Sequence, residues 1–240
     1  MIGGGFLAIV TAVFNLMLMG GNADLAGADE GTVPSEVSGS GMPTEAGLEE
    51  EFRGIRNTLR TSPEFSAGDA DAHFRLAELL AHRGDVNGAK EEYRAAIRLQ
   101  PDLAWAYRGL GQVLLDHHEY AEAADALQNG VRLGLEDGIL MYWLGRAQMG
   151  VGRLDLAETA LLRATQLNPD DPEAYADLGL VRMALGRGEA AERSIERALL
   201  LRPDGADVHR LMEMLLAHRD DPTALQQSAK NMLHGIFERE

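Results

Sequence analysis

The histidines are the residues of this 240-residue chain whose type and spacing could most directly indicate metal or acid–base chemistry. His117 and His118 are adjacent, but neighbouring residues of a helix point about 100° apart, which is a poor arrangement for two ligands of one metal. The sequence contains no motif for a serine nucleophile, a phosphate-binding loop, a zinc protease or paired catalytic carboxylates. We therefore predict that the chain is not an enzyme and holds no cofactor or metal.

Composition narrows the class of partner. The net charge is -16, and no cluster of Lys and Arg offers the positive surface that a phosphate backbone requires. Cysteine is missing, so disulfides and thiolate sites are excluded. Aromatic residues make up only 5%, which favours closely packed helices over a β-sandwich. We predict a helical protein that binds neither nucleic acid nor a small-molecule substrate.

A repeat with a period of 34 residues then indicates how the helices are arranged. Pro101, Leu135, Pro169 and Pro203 are equally spaced, and we number each unit so that this position is the thirty-second. The four units are then 70–103, 104–137, 138–171 and 172–205. Small residues recur at the eighth, twentieth and twenty-seventh positions, and large apolar residues recur at the seventh and twenty-fourth. Because helices approach closely only where small side chains meet, the pattern predicts packed helix pairs, with the large residues filling the space between units.

These positions resemble the tetratricopeptide repeat family across 70–205, and the likeness continues more loosely over 206–238. The resemblance implies an all-α, right-handed α-solenoid in which each unit is a helix A, a tight turn and an antiparallel helix B. In unit 2, His118 replaces the glycine after helix A and Leu135 replaces the proline, so we expect slightly altered loops there. Residues 206–238 are expected to form a degenerate last unit, with a second helix that caps the array with a polar surface.

The family resemblance also implies a concave groove lined by helix A, which would bind a protein or peptide. The family's clamp for a carboxylate tail is not reproduced, so we expect an extended or helical peptide with apolar anchors, and an acidic group near Arg108 and Arg146. The alternative is that Trp105 and Trp143 merely pack between helices. The candidate groove residues are Phe74, Arg75, Trp105, Arg108, Gln112, Tyr142, Trp143, Arg146, Met149 and Met183.

The N-terminal segment 1–21 has no charged side chain and is long enough to cross a bilayer. It is either a transmembrane anchor or a signal peptide cleaved after Ala23, where Gly21 and Ala23 supply the small residues of a cleavage site. Residues 22–44 have the composition of a flexible linker. Residues 45–62 have the apolar period of an amphipathic helix that would cover an end of the array.

Together these features predict a membrane-tethered protein–protein interaction scaffold that assembles or retains a complex. Its localisation would be the bacterial inner membrane, as a single-pass protein with the repeats in the periplasm, or the periplasm in soluble form after cleavage. One alternative is a structural accessory subunit that is integrated into a membrane complex through its N-terminal helix. Another is a regulatory module of a neighbouring enzyme.

Overall fold

The computed structural model describes residues 70–237, which form ten α-helices and no strand. The predicted all-α solenoid class is therefore confirmed. The helices are α1 Ala70–His82, α2 Val86–Leu99, α3 Ala104–Asp116, α4 Tyr120–Arg132, α5 Gly138–Gly150, α6 Leu154–Leu167, α7 Pro172–Ala184, α8 Gly188–Leu201, α9 Ala206–Ala217 and α10 Pro222–Phe237.

Three predicted segments lie outside the described residues. They are the anchor or signal peptide at 1–21, the linker at 22–44 and the amphipathic helix at 45–62. Among the described helices, none has both the length and the apolar character that a membrane span needs.

The first eight helices form four consecutive pairs: α1 with α2, α3 with α4, α5 with α6, and α7 with α8. Each pair lies within one of the four units defined by the 34-residue period. The next unit then packs its first helix mainly on the second helix of the unit before it. This arrangement gives a stack in which each pair chiefly contacts its neighbours.

Small residues at the eighth position allow the two helices of a pair to touch. A Cβ atom on Gly111 would lie 2.4 Å from Cγ of Leu127, and one on Gly145 would lie 2.6 Å from Cγ of Leu161. Because both partners belong to the same unit, the contact that these two twenty-fourth residues make here lies within their own pair. That Leu127 and Leu161 also fill the space between units stays a prediction. Tyr93 is different, because its ring also lies against Gly109 of the next unit.

The turns inside the pairs share one backbone conformation. Gly84, Gly152 and Gly186 have φ between +76° and +78°, and His118 takes the same left-handed conformation with φ +62°. The hydrogen bond that closes the turn is also the same, since Glu119 N donates to Leu114 O at 2.9 Å just as Asp85 N donates to Leu80 O. The prediction of an altered loop at His118 is therefore wrong, although a non-glycine residue there carries a steric cost.

The loop after α4 does differ from the others, as expected from the missing proline. Here α4 ends through Gly134, with φ +87°, and Leu135 N donates to Gly130 O at 3.1 Å. At the position of Gly134, unit 1 has Gln100, whose N donates to Ala96 O, four residues earlier, at 2.8 Å, whereas Gly134 N donates to Val131 O, three residues earlier, at 3.0 Å.

Contacts between units show which side of the stack is concave. The first helices of successive units, α1, α3, α5, α7 and α9, touch one another, whereas the second helices make few or no contacts among themselves. The first helices therefore lie on the inner side of the curve. Their residues that point away from the second helices line the groove.

The last helix departs from the repeat. α10 is helical as expected, but it makes few contacts with α9 and packs mainly on α7, with further contacts to α5. Since α7 and α5 line the inner side, α10 lies in the groove. The prediction of a second helix that pairs with 206–217 and caps the array is therefore wrong in its packing.

Candidate functional site

An arginine between two tryptophans is the most distinctive feature of the open part of the groove. The guanidinium carbon of Arg108 lies 4.5 Å from the centre of the Trp105 ring and 5.9 Å from that of Trp143. Trp105 is 43% exposed, which is unusual for so large an apolar side chain. Stacking of a guanidinium on aromatic faces holds both groups in fixed positions. Arg108 and the two tryptophans thus form a rigid surface, and their residue types are those found at binding hot spots.

Asp137 positions this cluster from the start of α5. Its carboxylate accepts a hydrogen bond from Leu140 N at 2.7 Å and so caps the helix. The same carboxylate accepts a bond from Arg108 at 3.3 Å. Arg108 is therefore already paired with an acidic group of its own chain. Its charge does not require an acidic group of a ligand.

Toward the first unit, the groove continues over Phe74, Arg75 and Gln112. The ring of Phe74 packs on that of Tyr93, 6.1 Å between centroids, and keeps part of its surface accessible. Arg75 is exposed and pairs with Asp71 one turn earlier at 2.7 Å. Gln112 lies one turn beyond Arg108 on the same helix face and is half-buried. These residues can contact a ligand that extends from Trp105.

A second charged cluster lies under the other part of the groove. Arg146 lies 3.7 Å from the Asp177 carboxylate, and its guanidinium carbon is 6.0 Å from the centre of the Tyr142 ring. Burial raises the pKa of Asp177 to about 6, although the Arg146 guanidinium acts in the opposite direction. Arg146 is also covered by Phe237 of α10, with 5.9 Å between the guanidinium carbon and the ring centre. Tyr142 and Arg146 thus lie where the open groove meets α10.

Two of the predicted groove residues are not accessible. Met149 is 4% exposed and Met183 is 0% exposed, and both belong to the apolar core that includes α10. The prediction that they line an open groove is wrong, because α10 covers this part of the concave side.

Sequence reasoning missed the residues that hold α10, although a signal was present. Four helix A positions that face the groove are polar or partly accessible in unit 2, but apolar and buried in unit 4. In unit 4 these positions are Ala176, Leu180, Met183 and Ala184, and in unit 2 they are Arg108, Gln112, Leu115 and Asp116. An apolar groove in one unit, together with an apolar row in a following helix, indicates an internal occupant.

The adjacent histidines lie at the turn between α3 and α4. His117 ends α3, while His118 lies 2.6 Å through Nδ1 from the Tyr120 hydroxyl. Within residues 70–237, no three His, Asp or Glu side chains come together as metal ligands would.

Stacked helix pairs that expose an aromatic surface on their inner side define a helical-repeat protein of the interaction class. Models of the tetratricopeptide repeat match residues 77–117, 108–172 and 144–216, and together they cover the stacked units. The chain belongs to the tetratricopeptide repeat family.

Similar proteins agree on the fold. Tetratricopeptide repeat protein 33 of Mus musculus is 31% identical over 98 residues, which are 41% of this chain and 37% of that protein. The chain spans between 13% and 37% of the length of the curated relatives it matches. The crystal structure of YrrB, described as a tetratricopeptide repeat protein with an unusual peptide-binding site, covers 75% of this chain and 92% of its own at 24% identity and TM-score 0.64. MamA from Desulfovibrio magneticus covers 67% of this chain and 88% of its own at 22% identity and TM-score 0.59.

Proposed function

We propose that this chain is a scaffold that binds a peptide segment of a partner protein on its concave side, around Trp105. Tetratricopeptide repeat proteins are protein–protein interaction scaffolds, and the likeness to YrrB supports a peptide as the ligand. The observation that carries the proposal is the stack of Trp105, Arg108 and Trp143, whose outer ring is left open to solvent.

The geometry favours a ligand with an apolar or aromatic anchor. The open face of Trp105 gains most by covering apolar surface, at about 25 cal/mol per Å² of area removed from water. Arg108 is already balanced by Asp137, so the groove has no requirement for an acidic group at this point. Affinity would therefore depend on ring contacts more than on salt concentration.

A site-specific crosslink tests the proposal. A photo-reactive amino acid in place of Gln112 would lie on the same face of α3 as Trp105, and we expect it to form a discrete adduct with one partner in cells. Trp105→Ala should reduce that adduct at least tenfold because it removes the anchor. Leu200→Ala is the matched control, since Leu200 is a large exposed residue on α8, a second helix of a pair. An adduct that survives Trp105→Ala unchanged would exclude this surface as the site.

We further propose that the scaffold is tethered to the bacterial inner membrane through residues 1–21 and acts in the periplasm to assemble or retain a complex. The uncharged apolar segment followed by a linker-like composition supports this proposal. The mass of the mature chain from a membrane fraction should include residues 1–21. A mass that begins at Asp24, in a soluble periplasmic fraction, would favour the cleaved form. Recovery of the intact chain in the cytosol would contradict both forms.

A further inference from the structure

Helix α10 occupies the concave side as a bound peptide would. On one face of α10, apolar residues recur at every fourth position, at Leu225, Ala229, Leu233 and Phe237. The first three of these residues are buried, and they share one core with the apolar groove positions of α7. With sixteen residues, α10 is about 24 Å long and can cross more than one unit.

The two ends of α10 show its direction along the groove. Near its start, Gln226 Nε2 donates to the carbonyl of Ala184 at the end of α7, 3.1 Å away. At its end, the Phe237 ring packs edge to face with the Tyr120 ring of unit 2, 5.2 Å between centroids, and lies against Arg146 of unit 3. The helix therefore runs back along the stack, from unit 4 toward unit 2.

Apolar contacts contribute most of the binding surface. The outer face of α10 is polar and exposed, and on that face Gln227 donates to Asn231 at 2.9 Å. Only a short connection, residues 218–221, separates α9 from α10, and Asp221 caps α10 by accepting from Ala224 N at 3.0 Å. Met232 packs on the same core, and the Ser228 hydroxyl lies 3.2 Å from Nε2 of His218. Release of α10 would break these contacts but would leave the four stacked helix pairs intact, so it can open as a unit.

Release of α10 would expose a surface already shaped for a helix. Ala176, Leu180, Met183 and Ala184 would present a continuous apolar strip on α7. Amphipathic helices bind such grooves through residues at a four-residue spacing. Phe237 lies between Tyr120 and Arg146, and these neighbours favour an aromatic residue as the last anchor.

We propose that the groove of units 3 and 4 is a second binding site, for an amphipathic helix of a partner that has apolar residues at every fourth position and an aromatic residue at the fourth anchor. α10 is the exchangeable internal occupant of this site and competes with the partner. Because the competitor is tethered, its effective concentration is in the millimolar range, which sets the affinity that a partner must exceed.

The test uses the full chain and a probe with the same anchors, a fluorescein-labelled peptide of residues 222–237. Leu233→Asp places a carboxylate in the apolar row and should release α10, whereas Lys230→Asp alters the exposed face and is the matched control. If the bound form of α10 is favoured tenfold or more, the peptide should bind Leu233→Asp at least tenfold more tightly than the wild type or Lys230→Asp. Equal binding to all three chains, or no binding to any folded one, would overturn the proposal.

Hydrogen exchange of the wild-type chain decides the question if Leu233→Asp does not fold. We expect the amides of α10 to exchange at least tenfold faster than those of α7, because α10 opens without unfolding the stack. Equal protection of the two helices would make α10 a permanent part of the core and would overturn the proposal. Sedimentation that shows a dimer formed by exchange of α10 would assign the site to a second copy and would equally overturn it.

This second site extends the proposed function but is tested separately from it. The peptide probes α5 and α7, whereas the Gln112 crosslink probes α3. A failed competition therefore leaves the Trp105 site standing, and a failed crosslink leaves the α10 site standing.

Discussion

Asp177 is a carboxylate whose surroundings oppose its charge. It occupies the sixth position of unit 4, where unit 2 has Gly109 and unit 3 has Trp143, two residues that never ionise. Burial is the main cause that raises its pKa to about 6, and Asp171 and Glu173 act in the same direction. The Arg146 guanidinium, 3.7 Å away, reduces the effect without cancelling it.

This raised pKa predicts a pH effect on stability with a definite sign. The folded chain holds the Asp177 proton more tightly than the unfolded chain, so the stabilisation is complete below about pH 4 and is lost as the pH rises through about 6. Asp177→Asn cannot ionise and should escape this loss. We expect the melting temperature of the variant, relative to the wild type, to be higher at pH 7.5 than at pH 4.5.

Comparing the two chains at each pH removes the contribution of the titrating groups that do not interact with Asp177. A difference in melting temperature that stays constant between pH 4.5 and 7.5 would show that Asp177 titrates in its ordinary range. Asp220→Asn, at an exposed position in the turn before α10, is the control because it removes one carboxylate outside the Asp177 cluster.

At the scale of the helix pair, the contact between the eighth and twenty-fourth positions governs stability. Gly145→Ala would place a Cβ atom 2.6 Å from Cγ of Leu161, and 3.4 Å from the Leu161 backbone nitrogen. We expect the overlap to reduce the free energy of unfolding by about 1–3 kcal/mol, as overpacking usually does. The measurement is the midpoint of urea denaturation.

Gly235→Ala is the matched control for that substitution. Gly235 is also helical, but a Cβ there would meet no atom within 4 Å. The higher helix propensity of alanine should then increase stability by up to about 1 kcal/mol. A Gly145→Ala variant that gains stability to the same extent would show that the pair can separate at no cost.

At the scale of the whole repeat array, contacts between neighbours predict unfolding by parts. Tyr93 is buried, its hydroxyl donates to Glu78, and its ring lies against Gly109, so it joins unit 1 to unit 2. Tyr93→Ala should cost about 3–5 kcal/mol locally. We expect faster hydrogen exchange in α1, α2 and α3, with exchange in α7 and α8 unchanged within about threefold, because contacts in such stacks do not extend beyond adjacent units.

Uniform acceleration across all ten described helices would contradict this prediction and would show that the stack unfolds as one unit. Leu156→Ala, at an exposed position on α6, is the control and should change exchange nowhere. α10 is the one described helix that crosses units, so its own protection reports on the groove and not on the unit at which it begins.

The sequence alone determined the family and the positions of the helix pairs. Equal spacing of small residues is sufficient for this, because a small residue such as Gly111 or Gly145 leaves the space that a larger residue of the paired helix fills. The aromatic surface around Trp105 was also predictable, since position within a repeat fixes which face a residue occupies. Residue type could not reveal that Arg108 is balanced by Asp137, because that pairing joins a residue of α3 to the residue that caps α5, 29 positions later in the chain.

Only the tertiary structure decided which part of the groove is open. Met149 and Met183 occupy groove positions by every local criterion, yet they are buried because a helix from beyond the repeat returns over them. A 34-residue period predicts contacts between neighbouring helices. It does not predict that α10 packs mainly on α7 and makes few contacts with α9. The physical reason is the apolar strip on α7, against which Leu225, Ala229 and Leu233 of α10 are removed from water.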